Sequence, residues 1–177
     1  MKKFSLIFVL LISSSSCAQK VVDNYSFFKL FVTNEKSEVM LVKWKDAWEI
    51  PGKKYKGSKT VKEFIDLMAS NHGIEVDKVK LNALITFHYN NKPNPTLMQY
   101  YTAKYTSGDL QVPFGSSDIK WVSLEEAYKM IPYTEMVNIM KHIKSDETIL
   151  WGAAYDVSKK STATPRSSML REDFYKL

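Results

Sequence analysis

Trp48-Glu49-Ile50-Pro51-Gly52-Lys53-Lys54-Tyr55-Lys56-Gly57-Ser58-Lys59-Thr60 leads into Val61-Lys62-Glu63-Phe64-Ile65-Asp66-Leu67-Met68-Ala69-Ser70-Asn71 and closes at His72-Gly73-Ile74, and this stretch decides the fold. Thr60 and Glu63 stand in the T-x-x-E order of a capping box, in which the carboxylate bonds back to the first amides of a helix. Val61, Phe64, Ile65 and Met68 then recur at helical spacing, which predicts an amphipathic helix over 61–71. Gly73 is placed to end it in the left-handed conformation, with His72 as a cation near the helix C-terminus. Before the helix, Lys53, Lys54, Lys56 and Lys59 gather positive charge in one loop, which reads either as an ordinary solvated lysine loop or as a surface suited to an anion. The loop nearly spells a phosphate-binding G-x-x-x-x-G-K-[ST] motif. Ser58 sits between Gly57 and Lys59, however, and a one-residue slip takes the lysine and hydroxyl out of register with the backbone nest.

Gly52, Gly73 and Ile74 resemble the frame of the Nudix box, whose interior carries glutamates and an arginine at fixed offsets. The Trp-Pro-Gly entry is similar too, and Trp121-Val122-Ser123-Leu124-Glu125-Glu126 resembles the strand-to-helix passage late in Nudix domains. The resemblance covers about 25–143 and implies an α/β fold, a Nudix-like α/β/α sandwich around a mixed β-sheet. The interior of the box departs from the family. Ser58 stands at the first glutamate, Asp66 at the arginine, and Leu67, Ser70 and Asn71 at the three remaining glutamates. In the family those three lie on one helix face, hold Mg²⁺ or Mn²⁺, and so clamp a diphosphate and activate water. Leu67, Ser70 and Asn71 offer no negative charge. The resemblance therefore implies a domain that keeps the fold and lacks the hydrolase chemistry, a pseudoenzyme with no metal or other cofactor. The competing reading is a metal-dependent hydrolase of nucleoside diphosphate derivatives. It relocates the acids to Glu63 and Asp66, with Asn71 assisting, and only there do Mg²⁺ or Mn²⁺ enter.

The first residues read as a leader. Met1-Lys2-Lys3 supplies positive charge, an apolar run follows over 4–12, and 13–16 are serines before Cys17-Ala18-Gln19. This is a bacterial-type secretory signal, too short to span a bilayer as a permanent helix. Two cleavage readings compete: a lipoprotein signal in which Cys17 is acylated, and a small-x-small site at Ser16-Cys17-Ala18 with cleavage before Gln19. Either one removes the single cysteine as a free thiol, which excludes disulfides and cysteine–metal sites from the domain. The expected location is exported: periplasmic, or anchored to a bacterial envelope membrane through a lipid. The formal charge of +6 includes Lys2 and Lys3, which leaves about +4 for the rest. That is mild, and together with export it argues against a nucleic-acid partner.

The expected organisation is a signal peptide over 1–18, a linker over 19–24, a Nudix-like domain over 25–147 and a C-terminal strand pair over 148–177. Aromatic and β-branched residues predict a strand over 25–32, and Val39-Met40-Leu41-Val42 reads as a strand buried on both faces. Alternation over 81–89 and the turn-rich 90–95 predict a hairpin with 97–105. A short strand over 119–122 precedes a helix capped by Ser123, and Met136, Val137, Met140 and Ile143 share one face of a last helix over 134–144. The tail is expected to be ordered, since Trp151, Tyr155, Phe174 and Tyr175 would otherwise be exposed. It has the choice of extending the sheet or covering the box helix. His142 is expected to face solvent, and His88 to lie on the sheet surface.

The ligand-binding candidates are Lys53, Lys54 and Lys56 in the loop and, for the stacking on a base that the Nudix resemblance implies, Tyr89 on the hairpin. The function these readings support is binding of a small anionic or nucleotide-like ligand, or of a protein partner, in the cell envelope. A structural envelope lipoprotein is the third reading.

Overall fold

The computed structural model describes residues 26–159 and 166–177. The leader, Cys17, the linker and Tyr25 lie outside the described residues. Within them the chain forms β1 (Ser26–Thr33), β2 (Val39–Trp44), β3 (Ala47–Glu49), β4 (Gly52–Lys54), α1 (Val61–Ser70), β5 (Ile74–Tyr89), β6 (Thr96–Gly108), β7 (Ser116–Val122), α2 (Leu124–Met130), α3 (Thr134–Ser145), β8 (Trp151–Ser158) and β9 (Ser167–Lys176).

One sheet takes all the strands in the order β3-β2-β1-β6-β5-β8-β9, with β4 paired to β1 and β7 to β2. β1 runs parallel to β6 and β5 parallel to β8, while the other pairings are antiparallel. The sheet is therefore mixed, as expected. Alternation along its strands builds two cores. Phe28, Leu30 and Val32 of β1 join Met40, Tyr101 and Ala103 under α1. Phe31, Leu41, Ile85, Phe87 and Tyr100 face α2 and α3 on the other side. The architecture is an α/β/α sandwich. β1 sits between β2 and β6 with helices over both faces, so six of its eight side chains are buried. β2 shows the same double burial over Val39–Val42, as its unbroken apolar run predicts.

α1 starts where the sequence places it. Thr60 accepts from Glu63 N and the Glu63 carboxylate accepts from Thr60 N at 2.7 Å, so the capping box is closed. Phe64, Ile65, Met68 and Ala69 form the buried stripe, each large side chain contributing ~1.5–3 kcal/mol. Val61, expected in that stripe, is exposed, because the helix leans on the sheet with its last two turns. Gly73 takes φ +77°, and an added Cβ would lie 2.2 Å from the Asp109 carbonyl oxygen, so a side chain is excluded on two grounds.

Several expectations change. β5 begins at Ile74, well before the alternating stretch, and its first half is a mostly exposed overhang paired to the end of β6. That overhang carries too little apolar pattern to be read as strand. The tail extends the sheet: β8 pairs with β5 and α3 packs over β5, β8 and β9. His142 is not solvent-facing. Its ring stacks on Phe174 at 3.5 Å between centroids and meets Trp151 edge-on. Tyr155 is buried, whereas Tyr175 stays exposed on the edge strand, where its ring covers Gly152.

Candidate functional site

The entry to α1 is stitched to β1 by backbone pairing. Lys29 faces Gly52, Phe28 faces Lys53 and Phe27 faces Lys54, so the loop expected after Trp48 contains a short strand, β4. Leu30 N donates to Pro51 O at 2.9 Å and Tyr55 N to Ser26 O at 2.9 Å. A Cβ on Gly52 would lie 2.7 Å from Lys29 Nζ and 2.7 Å from Phe27 Cε1, so a side chain here would displace the Lys29 and Phe27 side chains.

Lys29 is the residue that needs this space. It sits on the central strand with only 4% of its surface exposed, and its Nζ donates to Glu49 Oε2 at 2.6 Å and to Ile50 O at 3.2 Å. A charge on a strand covered on both faces must find a counter-charge within the fold. Glu49, at the end of β3, provides it.

Two cavities meet at this ion pair. The larger, about 530 Å³, is lined by Gly52, Lys53, Lys54, Met68, Asn71 and His72, with Pro113 and Phe114 on its rim. The smaller, about 250 Å³, is lined by Phe87, Tyr89, Met98, Tyr100 and Tyr133 together with Lys29, Lys92, Lys159 and Arg166. Phe27 and Glu49 belong to both, so the two halves adjoin as one cleft. The cations along it outnumber the carboxylates, Glu49 and Glu135, and the cleft is positive.

His72 does not act as a cation. It is buried, its Nδ1 lies 2.6 Å from Met68 O, and loss of solvent holds its pKa below the ordinary histidine value, with Lys53 adding to the shift. It still satisfies a helix-terminal carbonyl, as a neutral N–H donor. In the smaller cavity, Glu135 is buried at the start of α3 and accepts from Arg166 and from Ser168 Oγ at 2.8 Å. The Arg166 guanidinium lies 4.5 Å from the Tyr133 ring centroid. Tyr89 carries ammonium groups over its ring, from Lys92 at 4.9 Å and Lys159 at 5.3 Å. Burial raises the Tyr100 phenol well above its ordinary value, so it remains a neutral donor.

The residues singled out in the sequence are distributed as follows. Gly52, Lys53, Lys54 and Asn71 line the larger cavity, and Tyr89 the smaller. Lys56 is exposed beyond β4 and lines neither. Ser58 is exposed in the loop, Leu67 is half-buried, and Ser70 Oγ is spent on Leu67 O at 3.1 Å. Ile74 is buried at the start of β5. The relocated acids do not converge: Glu63 is held in the capping box, and Asp66 pairs with Lys62 at 2.7 Å on the exposed helix face. Among the described residues no group of three or more His, Cys, Asp or Glu side chains is placed to hold a metal ion. The donor set of this box does not fit Mg²⁺ or Mn²⁺, hard ions that require several anionic oxygens.

Sequence reasoning missed Phe27, Lys29, Glu49, Phe114, Tyr133, Glu135 and Arg166. Only Phe114 left a signal. It is a large apolar residue between Pro113 and Gly115, and it stands fully exposed at the cleft rim.

No family model and no curated protein sequence matches this chain. Solved structures do. The chain is similar to the mutator MutT protein from Bacillus halodurans, with TM-score 0.64 and 16% identity over 83% of this chain and 97% of that one. It is similar to the NUDIX domain of Shewanella oneidensis NrtR complexed with ADP ribose, with TM-score 0.58 and 12% identity over 68% and 86%. A binary complex of the C. elegans Ap4A hydrolase gives TM-score 0.54 and 18% identity over 68% and 96%. At these identities the likeness is one of fold, and the fold of this chain is the Nudix fold.

Proposed function

We propose that this domain binds a small anionic, nucleotide-like ligand in the cleft and does so without metal-dependent hydrolysis. One observation carries the reading. Where the family resemblance calls for a carboxylate cluster, the cavity wall holds Asn71, while Lys53 and Lys54 line the same cavity. In a metal-dependent site the protein is anionic and a divalent ion bridges it to phosphate. Here the protein supplies the cations, and lysine ammonium groups attract phosphate oxygens directly. The adjoining cavity, with its tyrosines and Arg166, offers an apolar and aromatic body to the rest of the ligand. The similar NUDIX domain complexed with ADP ribose makes that molecule the first probe.

The hydrolase reading keeps less support. Glu63 is engaged at the helix cap and Asp66 on the exposed face of α1, so neither points to a shared ion. Export and acylation at Cys17 belong to the same proposal and rest on the leader sequence alone.

Calorimetric titration of the purified protein with ADP-ribose, in EDTA and again in Mg²⁺, tests the reading. Binding of equal strength in both is expected, with an affinity loss of about tenfold when Lys53 and Lys54 are both changed to Gln, the scale of a charge-assisted hydrogen bond. Mass-spectrometric analysis of the same mixtures should find the ligand intact. Metal-dependent product formation would overturn the proposal.

A further inference from the structure

β5 is not a regular strand where it leaves the sheet. Asp77 faces Lys104 and Lys80 faces Thr102 on β6, so Lys78 and Val79 share one position opposite Ala103, which is a β-bulge. Lys78 takes φ +48°, a left-handed conformation that glycine normally supplies at such a bulge. A strained lysine at this position invites a reason, because the surrounding structure has to hold it there.

The bulge forms one wall of a third cavity, of about 180 Å³. Lys78 and Lys80 enter from β5, Lys104 from β6 and Lys144 from the end of α3, with Glu147 as the one carboxylate and Thr33 at the floor. Glu147 is held below the ordinary carboxylate range, by its hydrogen bond from Lys144 and then by the charges of Lys144, Lys104 and Lys80. Within the lining the four lysines face one carboxylate, and Lys80 also acts on Asp146 just outside it. Lys80 Nζ is already placed by Glu147 O at 2.5 Å, and Lys104 Nζ donates to Thr33 Oγ1 at 2.9 Å, which leaves the Thr33 hydroxyl proton free to donate outward. The Lys78 side chain makes no hydrogen bond or ion pair among the described residues. Phe31 and Thr33 line this cavity, two and four residues along β1 from Lys29 of the cleft, a separation of ~7–13 Å at ~3.3 Å per residue.

We infer that this third cavity is a binding site for a phosphate group, held by Lys78, Lys80, Lys104 and Lys144 with the Thr33 hydroxyl. A compact dianion matches the excess of ammonium groups over Glu147, and the bulge serves to aim Lys78 into the cavity. A free phosphate or soluble phosphate ester and the head group of an anionic lipid share this chemistry, and the assay separates them.

The test uses the full-length protein carrying Lys53→Gln and Lys54→Gln, which weakens competition from the cleft, and Lys78→Gly made in that background tells this cavity from the cleft. Inorganic phosphate is titrated calorimetrically at constant ionic strength, and co-sedimentation is measured with phosphatidylcholine vesicles with and without phosphatidic acid. One bound phosphate, or vesicle binding that requires phosphatidic acid, is expected, and which of them occurs assigns the source. Lys78→Gly should weaken that binding about tenfold, the scale of one charge-assisted hydrogen bond. The same change should leave the phosphate-free melting temperature unchanged or raised, because glycine relieves the left-handed backbone. Unchanged affinity in Lys78→Gly, a fall in both stability and affinity, or no binding to either probe would each overturn the proposal.

Discussion

Glu49 is expected to matter more to stability than Lys29, although the two form one ion pair. The pair lies in the wall shared by the two halves of the cleft, and its side chains are unequally covered, 5% exposed for Lys29 and 20% for Glu49. Changing Glu49 to Leu leaves, among the described residues, a buried ammonium with the Ile50 carbonyl as its hydrogen-bond acceptor and the Phe27 ring 5.6 Å away, and no counter-charge bonded to it. Removing one partner of a buried pair costs about 3 kcal/mol or more. At a urea m-value of ~2 kcal/mol/M that lowers the denaturation midpoint by ~1.5 M. Lys29→Met instead leaves a carboxylate that water can reach from the cleft, and a smaller loss of ~1–2 kcal/mol follows. The double variant Lys29→Met with Glu49→Leu removes both charges and keeps volume, so it should return to within ~1 kcal/mol of the parent. Urea unfolding followed by circular dichroism gives all four corners of the cycle, with an interaction energy of roughly 3 kcal/mol. A Glu49→Leu loss below 1 kcal/mol, or single losses that simply add, would refute the assignment of a buried, mutually dependent pair.

Three further outcomes are expected. Glu63→Gln should lower the melting temperature at neutral pH, because the carboxylate closes the capping box. Its hydrogen bonds from Thr60 hold its pKa below the ordinary value, so its contribution is present above the unfolded carboxylate pKa and fades as pH falls through the lowered one, and parent and variant melting curves should converge in acid. His72, whose pKa burial depresses, binds its proton more readily when unfolded, so stability should decline as pH drops below ~6.5. The proton NMR signals of its ring should show no titration step at the ordinary histidine value, and a normal step would contradict the burial. Cys17→Ala should move the protein from the membrane fraction to the soluble one, and a variant that still sediments with membranes would remove the lipid anchor.

Local signals were legible wherever neighbours in sequence are also neighbours in space. Thr60 and Glu63 close their box within one helical turn, and Gly73 takes the positive φ that a helix stop demands. The absence of a carboxylate at Leu67, Ser70 and Asn71 could likewise be read directly, because one helix and its C-cap carry all three positions. Lys29 could not be read as buried, since its partner lies twenty residues away and its burial comes from helices packed on both faces of β1. Glu135 was equally opaque. It belongs to α3, yet what satisfies it is Arg166 and Ser168, brought back by the terminal hairpin.

Read along the chain, the residues settle the order of the main elements, the cap and stop of α1, and the absence of a carboxylate at Leu67, Ser70 and Asn71. These rest on short-range periodicity and on side-chain type. The tertiary structure alone decided that the tail joins the sheet beside β5, that Lys53 and Lys54 reach a cavity while Lys56 does not, and that β5 bulges to present Lys78. Each of these depends on which strand lies next to which and in what register. Register is fixed by the sum of many long-range contacts, and no single stretch of sequence carries that sum.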